Sequence, residues 1–235
     1  MVKRAWLFYF IIMTEKIIII SNGRLGDPAF FQKRRDAMGS PLTICCDGGI
    51  RHLEKLNIQP DIIMGDMDSA DAARLDEYVA CGVKILKYPR DKDATDTQLA
   101  LEYALGLKPE SIEIWGALGG RIDHALANLF LLNPGEKAGI KTSLVDEYCE
   151  TFIIEKETSF EKASGQTVSL FAWGSKAVGV SLHSFKYSLD NEALEMSNPR
   201  GISNVIVSSP ATIHISSGSL LVVRYWRKDF FPEAV

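Results

Sequence analysis

The chain has 235 residues, a formal net charge of -4, 46% hydrophobic and 24% charged residues. This is the balance of an ordinary globule of one large or two small domains. It excludes collagen-like, low-complexity and largely disordered chains, and the acidic excess argues against nucleic acid as a partner. Cys45, Cys46, Cys81 and Cys149 form no C-x-x-C pair, which argues against a zinc site or a disulfide scaffold and suits a reducing cytoplasm.

Trp6 to Met13 is an apolar run behind Lys3 and Arg4. It is far too short to span a bilayer, and no small-residue cleavage site follows. It reads as an N-terminal extension with Met13 as the functional start. The expected location is the cytoplasm, with no membrane association.

From Lys16 onward, strand and helix patterns alternate. Strands are expected at Lys16–Ser21, Leu42–Cys46, Asp61–Met64, Lys84–Lys87, Ser111–Trp115 and Lys141–Asp146. Helices are expected at Pro28–Met38, Gly49–Leu56, Ala70–Cys81, Thr95–Leu105 and Arg121–Leu132. Such alternation predicts an α/β fold, a mostly parallel sheet covered by helices on both faces. The pattern changes near Asn133-Pro134-Gly135. From Cys149 the helical period fades, and short strands are expected at Thr151–Glu155, Thr167–Trp173, Val178–His183, Lys186–Leu189, Asn204–Ser208, Thr212–Ser216 and Leu220–Trp226. These predict a small antiparallel β-sandwich that leans on a neighbour. The expected division is 14–147 and 148–235.

Ligands of an open parallel sheet bind beyond the carboxyl ends of its strands. Asp47, Asp66, Asp68, Asp93 and Asp96 all follow predicted strands or open the next helix. Gathered carboxylates repel one another unless a cation sits among them. Oxygen ligands without Cys or clustered His favour Mg²⁺, which uses few carboxylates plus substrate phosphates. Each acid alone also reads as a turn or cap: Asp47-Gly48-Gly49 as a turn, Asp68 or Ser69 as an N-cap, and Thr95 with Gln98 as a capping box. One cap per helix leaves paired acids at successive strand ends unexplained.

Gly116 to His124 follows another strand. Gly119 and Gly120 before a helix let backbone N–H groups approach an anion. Arg121 suits bidentate phosphate binding, Asp123 also reads as a cap, and His124 as either a ligand or a structural histidine. Ile122, Leu126 and Leu129 share one helical face, and Arg121, His124 and Asn128 the other. No Walker A, G-x-G-x-x-G or G-x-S-x-G pattern is present.

Taken together, Cys46-Asp47-Gly48-Gly49, Pro60-Asp61 with Gly65-Asp66-Met67-Asp68-Ser69, Asp93-Ala94-Thr95-Asp96-Thr97 and Gly119-Gly120-Arg121-Ile122-Asp123-His124 resemble the thiamin pyrophosphokinase (thiamin diphosphokinase) family. A weaker match is Gly201-Ile202-Ser203-Asn204. The resemblance implies Mg²⁺-dependent transfer of the diphosphate group of ATP to the hydroxyl of thiamin, giving thiamin diphosphate and AMP. It implies a nucleotide-binding α/β domain, a thiamin-binding β-sandwich, and a homodimer whose active site lies between the α/β domain of one subunit and the β domain of the other. By motif position, Asp66, Asp68 and Asp96 take the metal and catalytic roles, supported by Asp47 and Asp93. Gly48, Thr95, Gly119, Arg121, Asp123 and His124 fall on the nucleotide or substrate side, and Ser203 and Asn204 on the thiamin edge. Two departures stand out. Leu220-Leu221-Val222 occupies the stretch where some members carry a Trp that stacks on thiamin, with Trp226 further on. Lys92 stands where some members have Gln. A diphosphokinase for another alcohol, such as a hydroxymethylpterin, and a non-catalytic nucleotide or thiamin sensor are the alternative readings.

Overall fold

The computed structural model describes residues 16–68, 72–91 and 93–226. The apolar run at 6–13, Ser69 and Lys92 lie outside them. In chain order the α/β part comprises β1 (Lys16–Ile20), α1 (Pro28–Ala37), β2 (Leu42–Cys46), α2 (Ile50–Lys55), β3 (Ile62–Gly65), α3 (Ala72–Ala80), β4 (Lys84–Lys87), α4 (Asp96–Gly106), β5 (Ser111–Trp115), α5 (Ile122–Phe130), α6 (Leu132–Lys137) and β6 (Lys141–Val145). The remainder is all β: β7 (Cys149–Ile154), β8 (Glu157–Phe160), β9 (Thr167–Ala172), β10 (Lys176–His183), β11 (Leu189–Glu195), β12 (Gly201–Val205), β13 (Ala211–His214) and β14 (Leu220–Tyr225).

Strands β6-β5-β1-β2-β3-β4 are parallel neighbours in that spatial order. The Ile17–Ile20 run alternates between two cores. Ile17 and Ile19 pack with Ala100, Leu101 and Ala104 of α4, whereas Ile18 and Ile20 pack with Phe31 of α1 and Leu53 of α2. A strand covered on both faces has no polar side, which is why β1 is a continuous aliphatic run.

The antiparallel part is fused to this sheet. β6 pairs antiparallel with β7, Ser143 opposite Phe152, and the same sheet runs on through β14 and β9 to β12, ten strands in all. A second sheet, ordered β11-β10-β13-β8, packs on that extension over a core including Phe152, Phe160, Val168, Leu182 and Ile213. The expected sandwich is present, and one of its layers continues the parallel sheet.

Several boundaries differ from the sequence pattern. β8 was not expected. Residues 133–135 lie in α6, because Pro134 falls in the first turn, where no N–H is needed, and Gly135 packs against Thr142. The Lys186–Leu189 strand is displaced to β11, and the Asn204–Ser208 strand to β12. The chain at Lys186–Tyr187 is held by Asn204 and the Val205 carbonyl.

A charged network pins the joint. Arg34 of α1 meets Glu113 of β5 at 2.7 Å and Glu150 of β7 at 3.2 Å, and Arg224 of β14 meets Glu150 at 3.0 Å. The two guanidiniums lie 4.5 and 4.8 Å from the ring centroid of Trp226, whose Nε1 donates to Asp146 O. Trp226 is thereby committed to the joint. Leu220 and Val222 are buried in the sandwich core.

All four cysteines are free thiols; Cys45, Cys46 and Cys149 are buried and Cys81 is exposed. Burial pushes the Cys149 thiol up to about 12 and Cys45 well above its ordinary value. Titration of the folded protein with a disulfide reagent at pH 8 is expected to label Cys81 rapidly and the other three only after denaturant is added.

Candidate active site

The carboxyl ends of β1, β2, β3 and β5 open into a cavity of about 690 Å³. Its lining brings together Asp47, Gly48, Asp66, Asp68, Thr95, Asp96, Gly119, Arg121, Asp123 and His124. Ser21, Asn22, Thr97 and Asn128 line it as well, and the sequence reading gave none of these a site role. Asn128 was legible from its shared helical face with Arg121 and His124, whereas Ser21 carries no motif.

Local geometry explains the convergence. Asp47 opens a 3-10 turn directly after β2 and is buried. Gly65 closes the neighbouring strand β3, and a Cβ there would press on the Asp47 side chain. That bare backbone lets Asp66 come alongside Asp47. Met67 is buried at φ +62°, in the left-handed region unfavourable for a side chain. The twist folds Asp68 back, so that its backbone N–H meets Asp66 Oδ1 at 3.1 Å. Asp47, Asp66 and Asp68 thus each offer an oxygen within 4.8 Å of the other two. Three hard oxygen donors at this spacing suit a divalent cation that completes its shell with water or phosphate oxygens.

Asp96 lines the same cavity from the first turn of α4, outside that trio. Thr95 caps α4 by accepting from Gln98 N at 3.1 Å. The capping box is not completed, since the Gln98 side chain turns to Glu102. The expected cap at Asp68 or Ser69 concerns the entry to α3, residues 69–71, which lie outside the described residues. A buried hydrogen bond between Ser21 Oγ and Thr97 Oγ1 ties the end of β1 to α4. Asp93 is exposed and is not among the lining residues.

On the opposite wall, Gly119 and Gly120 adopt φ of +80° and +70° ahead of α5. Asn128 Nδ2 reaches back to Ala117 O at 2.8 Å and braces this loop. Arg121 grips Asp123 with Nη2 at 2.5 Å and Nε at 3.1 Å. That fork holds the Asp123 carboxyl down at about 2. Both residues and His124 are exposed.

Ser203 and Asn204 stand apart. They lie on β12, six strand positions from β1, which at about 4.8 Å per strand is roughly 29 Å. The Asn204 side chain is buried and exchanges hydrogen bonds with the backbone of Tyr187 at 3.0 and 2.7 Å. Ser203 is exposed.

The profile of the thiamin pyrophosphokinase catalytic domain matches residues 37–144, and that of the thiamin pyrophosphokinase vitamin B1 binding domain matches residues 151–222. The chain belongs to the thiamin pyrophosphokinase family. A thiamine pyrophosphokinase of Bacillus subtilis is 31% identical over 185 residues, spanning 78% of this chain and 86% of its own. Thiamine pyrophosphokinase 1 of Oryza sativa subsp. japonica is 26% identical over 231 residues, 87% of this chain and 84% of its own. The crystal structure of the Bacillus subtilis thiamine pyrophosphokinase superposes with a TM-score of 0.79 at 30% identity, over 89% of this chain and 98% of that one. In these thiamin pyrophosphokinase terms, the carboxylate trio falls in the catalytic half, and Ser203 and Asn204 in the half matched by the B1-binding profile.

The trio gathers three carboxylates, with Arg90 Nη1 standing 3.7 Å from Asp68 Oδ2. Addition of Mg²⁺ or Mn²⁺ is expected to raise the melting temperature by several degrees, since a ligand at about 100 times its Kd adds roughly 2.7 kcal/mol. Asp68→Asn is expected to remove most of that rise without lowering the metal-free melting temperature, as calorimetry with and without the ion would show.

Proposed function

We propose that this cavity is the nucleotide half of a thiamin diphosphokinase active site, and that Mg²⁺ is its metal. The convergence of Asp47, Asp66 and Asp68 beside Asp96, opposite a glycine-rich helix entrance, carries this reading. The chain is an enzyme that makes thiamin diphosphate, so the cavity must handle a triphosphate and a positively charged acceptor. Asp47, Asp66 and Asp68 would hold the cation, and Asp96 would complete the acidic side. When bound, the ion supplies polarisation of the β-phosphoryl group and relief of charge on departing AMP.

The remaining steps belong to the side chains and backbone. The N–H groups of the 116–120 loop and the start of α5 would receive phosphate oxygens. The thiamin hydroxyl oxygen bonds to the β-phosphorus as the bond from that phosphorus to the α,β-bridging oxygen breaks, and AMP departs with the bridging oxygen. Asp68 or Asp96 takes the hydroxyl proton. The surplus of carboxylates favours the cationic thiazolium ring in the same hollow.

Within one chain the acceptor half lies far from the acids. We propose that a second copy brings Ser203 and the β12 edge to the cavity. Residues 14–147 then act as the nucleotide half and 148–235 as the acceptor half. Support comes from α5, where Ile122 is 77%, Leu126 50% and Phe130 60% exposed on the helix that lines the cavity. An apolar stripe so placed is material for an interface. Among the described residues no helix is long and apolar enough to cross a membrane. The free thiols fit a cytoplasmic home.

Incubation with ATP, Mg²⁺ and thiamin is expected to release AMP, and incubation with a hydroxymethylpterin is not; the reverse pattern would overturn the acceptor, and binding without AMP would overturn the activity. Asp68→Asn and Asp96→Asn are each expected to lower turnover about 100-fold or more with the fold retained. Substituting Ile122→Asp together with Leu126→Asp is expected to yield a monomer by light scattering and to abolish turnover.

A further inference from the structure

On its β1 side the cavity wall is formed by Asn22 and Gly23. Two consecutive side chains of α2 hold this pair. His52 donates from Nε2 to Gly23 O at 2.7 Å. Arg51 donates from Nη2 to Asn22 Oδ1 at 2.9 Å and from Nε to Gly48 O at 3.4 Å. The Asn22 amide lies flat on Gly48, where a Cβ would collide with its carbon, oxygen and nitrogen alike. One edge of the amide is therefore fixed by Arg51 and one face by bare backbone.

The chemistry of the contact decides which way the amide faces. A guanidinium only donates, so the end turned to Arg51 must be the oxygen. The NH₂ end, carrying two donors, is turned away from Arg51. Among the described residues no protein acceptor meets Asn22 Nδ2. Nearby, the cavity is walled by Asp47, Asp66 and Asp68, which repel a phosphate until a cation intervenes. A neutral double donor beside them offers an anionic oxygen what those acids lack.

We propose that Asn22 Nδ2 donates to a phosphoryl oxygen of the nucleotide, and that Arg51 is the positioning residue that keeps the amide turned donor-first. The inference rests on the nucleotide reading above. Arg51 acts through Asn22, so its effect on nucleotide affinity must vanish when the amide is gone. A long-range attraction between Arg51 and the phosphates would persist.

Isothermal titration of the full chain with ATP and Mg²⁺, thiamin omitted, separates these cases. A hydrogen bond to a charged oxygen is worth about ten- to a hundredfold in affinity, so Asn22→Ala is expected to weaken binding by at least about tenfold. Asn22→Asp should do at least as much. It keeps the shape and the Arg51 contact, and so decides the matter if the alanine variant folds poorly. Arg51→Ala is expected to weaken binding several-fold in the native background and not in the Asn22→Ala background, and Arg51→Lys, still donor-only, to restore most of the loss. Binding by Asn22→Asp within about twofold of the native protein would overturn the donor. An equal cost of Arg51→Ala in both backgrounds would overturn the positioning role. A native protein that binds no ATP would overturn the nucleotide reading itself, a result distinct from the other two.

Discussion

The structure turns on the enforced closeness of three like charges. Left to themselves, the carboxylates of Asp47, Asp66 and Asp68 would separate, since like charges repel. The sheet does not let them. Asp47 leaves β2, Asp66 and Asp68 leave β3, and the two strands are parallel neighbours in fixed register. The missing side chain at Gly65 and the left-handed turn at Met67 close the remaining distance. The aliphatic cores on both faces hold the strands, and with them the three carboxylates, against this repulsion.

A second polar cluster does the opposite work. Arg34, Glu113, Glu150 and Arg224 alternate in sign around Trp226 at the seam between the parallel and antiparallel strands. Each charge has a partner, so its burial is compensated. The acids at the cavity instead stand three together, with Arg90 Nη1 at 3.7 Å from Asp68 Oδ2. The Arg34 cluster lies at the seam between the two kinds of strand, and the acidic one lines the cavity.

Much of this was legible from residue order. The β1 run Ile17–Ile20 announced a strand buried on both faces, and the Asp-bearing loops after successive strands announced one shared edge. Other features depended on contacts distant in sequence. Pro134 looked like a terminator, but it occupies a helix's first turn. β8, with its exposed Glu157, shows little apolar alternation and gains its place by pairing with β13. Ile122 and Leu126 form a helical stripe that local periodicity alone would send to the core, yet within this chain it faces outward. Asn22 sits in a loop without a motif, and its contacts with Arg51 and Gly48 exist only once the chain has folded. Asn204 was expected at the thiamin edge, and its own side chain is occupied with the backbone at Tyr187.

The pairing of β6 with β7 makes one uninterrupted sheet of what the sequence presents as two modules. Such a sheet has no pivot: bending it at that seam would tear ladder hydrogen bonds and unstack Arg34 from Trp226. Among the described residues, the two parts therefore form one body rather than two hinged lobes. In the proposed active site, shielding of the reacting phosphorus would fall to loops or to the proposed second copy, not to a bend at this seam.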